Sequence, residues 1–202
     1  MAGWLAGLVG GSLRDWPSVG LVGAVTNHAP DAQGVRGDYK GLDCLAEFAD
    51  RRRREYAGQV LDVRRLTGFC LLVRRDVFER IGKFDERFGV GFFDDDDLCL
   101  RSREAGFRLL VALDVYIHHF GSRTFKGLGI NSREQLIKNF EMFRTKWGAE
   151  HAAGYRLMGG WPEPTKESLE LSASCFAKEE PASIAGLSTK DEGLSTNREL
   201  TA

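Results

Sequence analysis

Residues 19–26, Val-Gly-Leu-Val-Gly-Ala-Val-Thr, form a compact apolar run without a charge, the pattern of a strand buried inside a sheet. Two further apolar runs, Leu-Thr-Gly-Phe-Cys-Leu-Leu-Val-Arg from Leu66 and Leu-Leu-Val-Ala-Leu-Asp-Val-Tyr-Ile from Leu109, repeat that signal. Between and around them lie helical segments. Trp4 to Arg14 reads as a short helix, Leu42 to Tyr56 as a helix with a polar face, and Asp76 to Ile81 as a short helix. The stretch after Asp97, Leu-Cys-Leu-Arg-Ser-Arg-Glu-Ala-Gly, is helical as well. A last helix opens at Ser132 and Gln135, read as a capping box, and carries Leu136, Phe140, Phe143 and Trp147 at helical spacing. Buried strands interleaved with helices predict an α/β chain, a mixed sheet flanked by helices.

Charge and composition narrow the function. The 202 residues hold 28 Lys and Arg against 29 Asp and Glu, a formal net charge of −1, which argues against a general nucleic-acid binder. Cys44, Cys70, Cys99 and Cys175 stand singly, with neither metal-finger spacing nor the density of a disulfide scaffold, so reduced thiols and a cytoplasmic location are expected. The opening apolar stretch has no Lys or Arg before Arg14 and is too short to span a bilayer, so membrane contact is expected to be at most peripheral, at the inner face. From Pro162 to Ala202 the chain is rich in Ser, Thr, Glu and Lys and poor in large apolar residues, and this segment is expected to be a disordered tail. Residues 1–161 then make one domain.

The most unusual stretch runs from Asp85 to Asp97. It holds six acids and one Arg, a local charge of −5, and ends in the adjacent carboxylates Asp94, Asp95, Asp96 and Asp97. Neighbouring carboxylates repel one another, raise each other's pKa and attract a proton or a cation. At the start of a helix, exposed amides and the positive end of the helix dipole stabilise them. Asp97 and Arg101 stand at i and i+4, the spacing of an ion pair. A solvated acidic cap is the plain reading of such a run. A second cluster, His118-His119-Phe120-Gly121-Ser122, directly follows the third strand, and imidazole there is placed to reach a site. Carboxylates with one imidazole suit Mn, or Mg, better than Ca. Arg51 to Arg54, between Asp50 and Glu55, read as a solvated helix face, and Cys70 and Cys99 as core. The chain has no phosphate-loop or dinucleotide glycine fingerprint and no nucleophile elbow.

Residues Thr67 to Phe125, with their Arg-Arg pair, Phe-Asp-Glu-Arg-Phe-Gly, acidic quartet followed by Leu98 and Arg101, and His-His-Phe-Gly-Ser in that order, resemble the acceptor-side half of family 2 glycosyltransferases, inverting enzymes of the GT-A fold. The resemblance extends back to Val19 and forward to the helix ending near Trp147. It implies a partial GT-A domain that transfers a sugar from a nucleotide-sugar donor to the hydroxyl of a glycan or lipid-linked acceptor, in cell-envelope or surface polysaccharide synthesis. The family's Glu-Asp-x-Asp motif places the catalytic base on Asp95, with Asp94 in the Glu position; either Asp94 or Asp95 is then presented to the acceptor. Asp97 and Arg101 match the supporting ion pair, His119, with His118 beside it, matches the residue that helps hold a metal-diphosphate, and Thr67, Gly68, Phe93 and Asp96 fall on the acceptor side. A divalent metal, Mn or Mg, is implied as cofactor. The family's opening nucleotide-binding half, with its own Asp-x-Asp motif, has no counterpart here, so the chain is expected to be a fragment that works with a complementary N-terminal half. Two other classes remain open: a non-catalytic module that binds a partner or cation through the acidic loop, and a small metal-dependent phosphoesterase.

Overall fold

The computed structural model of the protein describes Leu8, residues 16–121 and residues 123–155. The expected helix over 4–14, apart from Leu8, and the expected tail over 162–202 lie outside the described residues.

Four strands, β1 (Val19–Val25), β2 (Val60–Val63), β3 (Leu71–Val73) and β4 (Arg108–Tyr116), form one mixed sheet in the order β2-β4-β1-β3. β1 runs parallel to β4, pairing Val22 with Leu110 and Gly23 with Val111, and antiparallel to β3, pairing Leu21 with Val73. β2 lies antiparallel on the outer side of β4. All seven residues of β1 are buried, as a central strand covered on both faces must be. Leu21, Val25, Leu109 and Val111 pack one face against Phe48, Val77, Leu98 and Cys99. Val19, Val22, Ala24, Leu110 and Ala112 pack the other face, with Leu8.

The helices are α1 (Leu45–Glu55), α2 (Arg75–Ile81), α3 (Asp94–Glu104), the short α4 (Arg123–Gly127) and α5 (Ser132–Ala152), which is broken at Gly148. α3 and α5 enclose a third apolar cluster of Phe88, Phe93, Leu100, Phe140, Met142 and Phe143. The ion pair expected between Asp97 and Arg101 is formed, at 2.8 Å, and it is the centre of a larger array. The fully buried Asp97 carboxylate also accepts from Trp147 Nε1 at 2.8 Å and pairs with Lys146 Nζ at 2.7 Å, both from α5. Arg101 spends its remaining donors on the carbonyls of Ile81, Gly82 and Lys83, tying down the end of α2. Lys146 bridges in turn to Asp85 at 2.7 Å.

Two expectations need correction, and one strand was not expected at all. The apolar run from Leu66 is a strand only over Leu71–Val73, because Gly68 and Thr67 turn the chain and give their amides to side chains of other elements. β2 went unrecognised. The cap of α5 is Asn131, one residue before the expected Ser132, with its Oδ1 accepting from the amides of Arg133 and Glu134 and its Nδ2 donating to Glu134.

Removing one member of a buried charge array leaves the others without a counter-charge. Asp97→Ala is therefore expected to lower the unfolding free energy by about 3–5 kcal/mol, measured as a shift of the urea midpoint. A change under about 1 kcal/mol would contradict the hub role.

Candidate active site

Because β1 and β4 are parallel neighbours, their carboxyl ends open on the same side of the sheet, where open α/β sheets bind ligands. β1 leads into Asn27 and His28, and β4 into His118 and His119. Asn27 clips this junction: its Oδ1 accepts from the His119 amide at 2.8 Å and its Nδ2 donates to the His119 carbonyl at 3.1 Å. The His119 ring stacks on Phe69, with centroids 5.3 Å apart, and its Nδ1 lies 2.9 Å from the His28 carbonyl. A carbonyl only accepts, so Nδ1 carries the proton and Nε2 is left as the reactive nitrogen. Gly121 has φ 61°, and a Cβ there would stand 3.3 Å from the His28 ring. Only glycine meets both demands comfortably.

On the facing side, α3 begins with four acids in its first turn. Its start is set by an uncommon backbone, with Phe92 at φ 66° and Phe93 at φ 68°. Bulky side chains in the left-handed region cost of order 1–3 kcal/mol each, and packing holds them there. Phe93 is buried against Phe140 and Phe143. The fully buried Asn139 of α5 turns its amide onto the carbonyls of Phe88, Gly91 and Phe92 at 2.6–2.9 Å.

This start fans the carboxylates apart. Asp97 turns inward to its cations, as described above. Asp94, Asp95 and Asp96 line a cavity of about 1060 Å³, and Asn27, His28, His118, His119, Thr67, Gly68, Phe69, Phe93 and Arg65 line it too. The sequence-predicted residues Asp94, Asp95, Asp96, Thr67, Gly68, Phe93, His118 and His119 are thus brought together, and Asp97 with Arg101 supports them from behind.

The three cavity acids differ. Asp95 is held at both oxygens: Oδ2 accepts from the Gly68 amide at 2.6 Å and Oδ1 from the Asp96 amide at 2.9 Å. Burial pushes its pKa up against the pull of those two amides and of Arg65. Asp94 makes no hydrogen bond to another side chain among the described residues, and burial with the neighbouring Asp95 charge pushes its pKa up to about 6. Asp96 accepts from the Tyr155 hydroxyl at 2.7 Å and lies 3.8 Å from Arg65, while burial and Asp95 push it up to about 7. One helix start therefore presents carboxyls whose proton affinity suits exchange near neutral pH.

The imidazoles are less alike than their adjacency suggests. His118 Nδ1 is engaged by the Tyr39 hydroxyl, which also meets Tyr116 at 2.7 Å, and its ring packs edge-on against Phe120. A hydroxyl can donate or accept whereas the carbonyl opposite His119 Nδ1 only accepts, so His119 is the one of the two whose tautomer its partner fixes. Among the described residues no three His, Cys, Asp or Glu side chains converge as metal ligands. The described residues do not make a metal centre on their own.

Reading the sequence missed Asn27, Asn139 and Gln33. Gln33 is 3% exposed; its Nε2 donates to the Ala24 carbonyl of β1 at 2.9 Å and its Oε1 accepts from the Thr67 amide at 2.6 Å. The next amide, of Gly68, is the one that holds Asp95, and a Cβ on Gly68 would stand 3.2 Å from the Asp95 side chain. Gln33 thus connects the central strand to the orientation of Asp95 through two consecutive peptide groups.

The profile of the family described as glycosyltransferase like family 2 matches residues 17–135, more than half of the chain. The protein is also similar to the uncharacterized protein y4gI of Sinorhizobium fredii (strain NBRC 101917 / NGR234), 25% identical over 165 residues. That match covers 71% of this chain and 16% of the relative, so the chain spans about a sixth of the length of the curated protein it matches. No solved structure matches the chain.

Gln33→Leu keeps the volume of the side chain but leaves the Ala24 carbonyl and Thr67 amide without partners. It is expected to raise the hydrogen-exchange rate of the Thr67 and Gly68 amides at least tenfold, the equivalent of about 1.4 kcal/mol of local stability, with β4 amides unchanged. Unaltered exchange at Thr67 and Gly68 would contradict the connection.

Proposed function

The chain belongs to the glycosyltransferase like family 2, and from that premise we propose that its cavity is the acceptor side of an inverting sugar-transfer centre. Membership of the family supports a transferase domain of glycosyltransferase type, with a nucleotide sugar and an acceptor as the general substrates. The single observation that supports the finer reading is that Asp94, Asp95 and His119, distant in sequence and on different elements, line one cavity.

In this reading Asp95 is the base. Its carboxylate takes the proton of the acceptor hydroxyl as that oxygen bonds to the anomeric carbon. The bond from that carbon to the diphosphate oxygen breaks on the opposite face, and the leaving diphosphate carries away the electron pair. The Gly68 and Asp96 amides hold Asp95 so that no rotamer search precedes proton transfer. Asp94, one residue before it, adds its charge to those that raise the proton affinity of Asp96. His119, oriented by the His28 carbonyl and Phe69, directs Nε2 at the leaving group. When protonated it donates to a diphosphate oxygen and offsets the developing charge. Phe93, Thr67 and Gly68 shape the wall against which the acceptor rests. The acceptor in this proposal is a glycan or a lipid-linked saccharide of the cell envelope, and the reaction is cytoplasmic.

A metal-dependent phosphoesterase calls for converging ligands, which the described residues lack. The bare cation-binding module meets the same difficulty, and no separate observation favours either.

The test is transfer from radiolabelled nucleotide sugars to glycan and lipid-linked acceptors in extracts of cells carrying the wild-type protein or a variant. Asp95→Asn is expected to lose transfer by about 10²–10⁴-fold, and the wild-type rate is expected to rise with pH as Asp95, whose pKa burial pushes above the ordinary carboxylate value, loses its proton. Transfer retained by Asp95→Asn would remove it from the mechanism.

A further inference from the structure

From Val115 to Arg133 the chain contains no Asp or Glu, although it is almost neutral as a whole. Within that stretch Arg123, Lys126 and Arg133 are exposed, and none forms an ion pair among the described residues. The same stretch carries the two most exposed large apolar side chains among the described residues, Phe120 at 58% and Leu128 at 60%. They flank the short helix α4, and Arg123 lies over the Phe120 ring at 5.9 Å. Other exposed apolar residues have acidic neighbours in the chain: Leu42 precedes Asp43, Leu61 precedes Asp62, and Phe84 precedes Asp85. Phe120 and Leu128 have only cations and uncharged residues near them in the chain.

α4 is also fastened to the candidate site. The half-buried Phe125 stacks on Phe92 with centroids 4.7 Å apart and planes at 24°, and Phe120, Arg123, Thr124 and Phe125 all line the cavity. One side of α4 thus closes the wall of the cavity, while Lys126 and Leu128 lie on exposed parts of the same segment.

We propose that α4 and its flanks are a docking surface for an anionic lipid bilayer. Phe120 and Leu128 enter the boundary between headgroups and acyl chains, and Arg123, Lys126 and Arg133 meet the anionic headgroups. Apolar tips that alternate along the chain with cations forming no ion pair among the described residues are the complement of such an interface, where each half reinforces the other. A purely polar polyanion would leave the two aromatic and aliphatic tips in water. The docked orientation turns this side of the cavity mouth toward the membrane. Docking is a property of the surface and stands whether or not the transfer reading does.

The experiment is flotation of the 202-residue chain with vesicles of phosphatidylcholine containing phosphatidylglycerol, and with phosphatidylcholine vesicles alone. The wild-type chain is expected to float with the anionic vesicles, to be released by high salt, and to stay behind with the neutral ones. Removing the charge of one cation should weaken partition about fivefold, so the Arg123→Glu, Lys126→Glu pair should lose at least about 25-fold. The Phe120→Ser, Leu128→Ser pair should lose binding at unchanged net charge. A control pair on the exposed basic face of α1, Arg53→Glu with Arg54→Glu, should float like wild type, and circular dichroism checks that each variant is folded. No flotation of the wild type with anionic vesicles would overturn the proposal. Equal flotation of wild type and both α4-region pairs would overturn it too, as would a control pair that loses as much. Retention on heparin without flotation would assign the surface to a soluble polyanion and overturn the lipid reading.

Discussion

The buried carboxylate of Asp97 governs the geometry of everything at the cavity. A charge taken out of water must be matched by partners of good geometry, and Asp97 has three, Arg101 from its own helix and Lys146 and Trp147 from α5. Meeting all three sets how α3 is rolled about its axis. With the fourth acid turned inward, the three before it have no equivalent partners in the interior and emerge at the helix start. Arg101 also gathers the carbonyls after α2, so one ion pair ties α2, α3 and α5 into one frame.

Four adjacent residues of one type therefore have four environments. Asp97 is paired and structural, Asp96 is capped by Tyr155, Asp95 is gripped by two amides, and Asp94 faces the cavity without a side-chain partner. Asp85, at the far end of the acidic stretch, shows the contrast most clearly. Burial disfavours its charge, yet hydrogen bonds from Arg87 and Lys146 hold its pKa well below the usual carboxylate range. At the cavity, burial outweighs the single cation Arg65, which lies 3.8 Å from Asp96, and the pKa values of Asp94 and Asp96 go the other way. Burial set against the strength of the cations and donors that offset it, more than acid count, decides which carboxyl can exchange a proton near neutrality.

Much of the frame was legible in the sequence. β1 and β4 are long apolar runs whose burial leaves no other assignment, and the i and i+4 spacing of Asp97 and Arg101 shows an ion pair before any coordinates do. β2 is harder, since Val-Leu-Asp-Val is four residues long, lies at the sheet edge and is followed by two arginines. β3 is shorter than its apolar run because Thr67 and Gly68 serve Gln33 and Asp95, partners 34 and 27 residues away. The amide residues Asn27, Gln33 and Asn139 left almost no local pattern. Each satisfies backbone groups across a tertiary contact, and only the polar break that Asn139 makes in the apolar stripe of α5 hints at such a role. The grouping of His119 with the acids was carried by motif resemblance, and parallel pairing of β1 with β4 supplies its physical basis.

The proposed chemistry depends on the start of α3 keeping carboxyls protonatable at physiological pH. Carbon-detected titration of the chain labelled with ¹³C at aspartate carboxyls measures this directly. Asp94 is expected to titrate near about 6 and Asp96 near about 7, with both midpoints moving down when Asp95 is replaced by Asn and its charge is gone, while burial keeps them above the ordinary aspartate value. Midpoints of Asp94 and Asp96 at or below about 4, the ordinary value for an exposed aspartate, would contradict it.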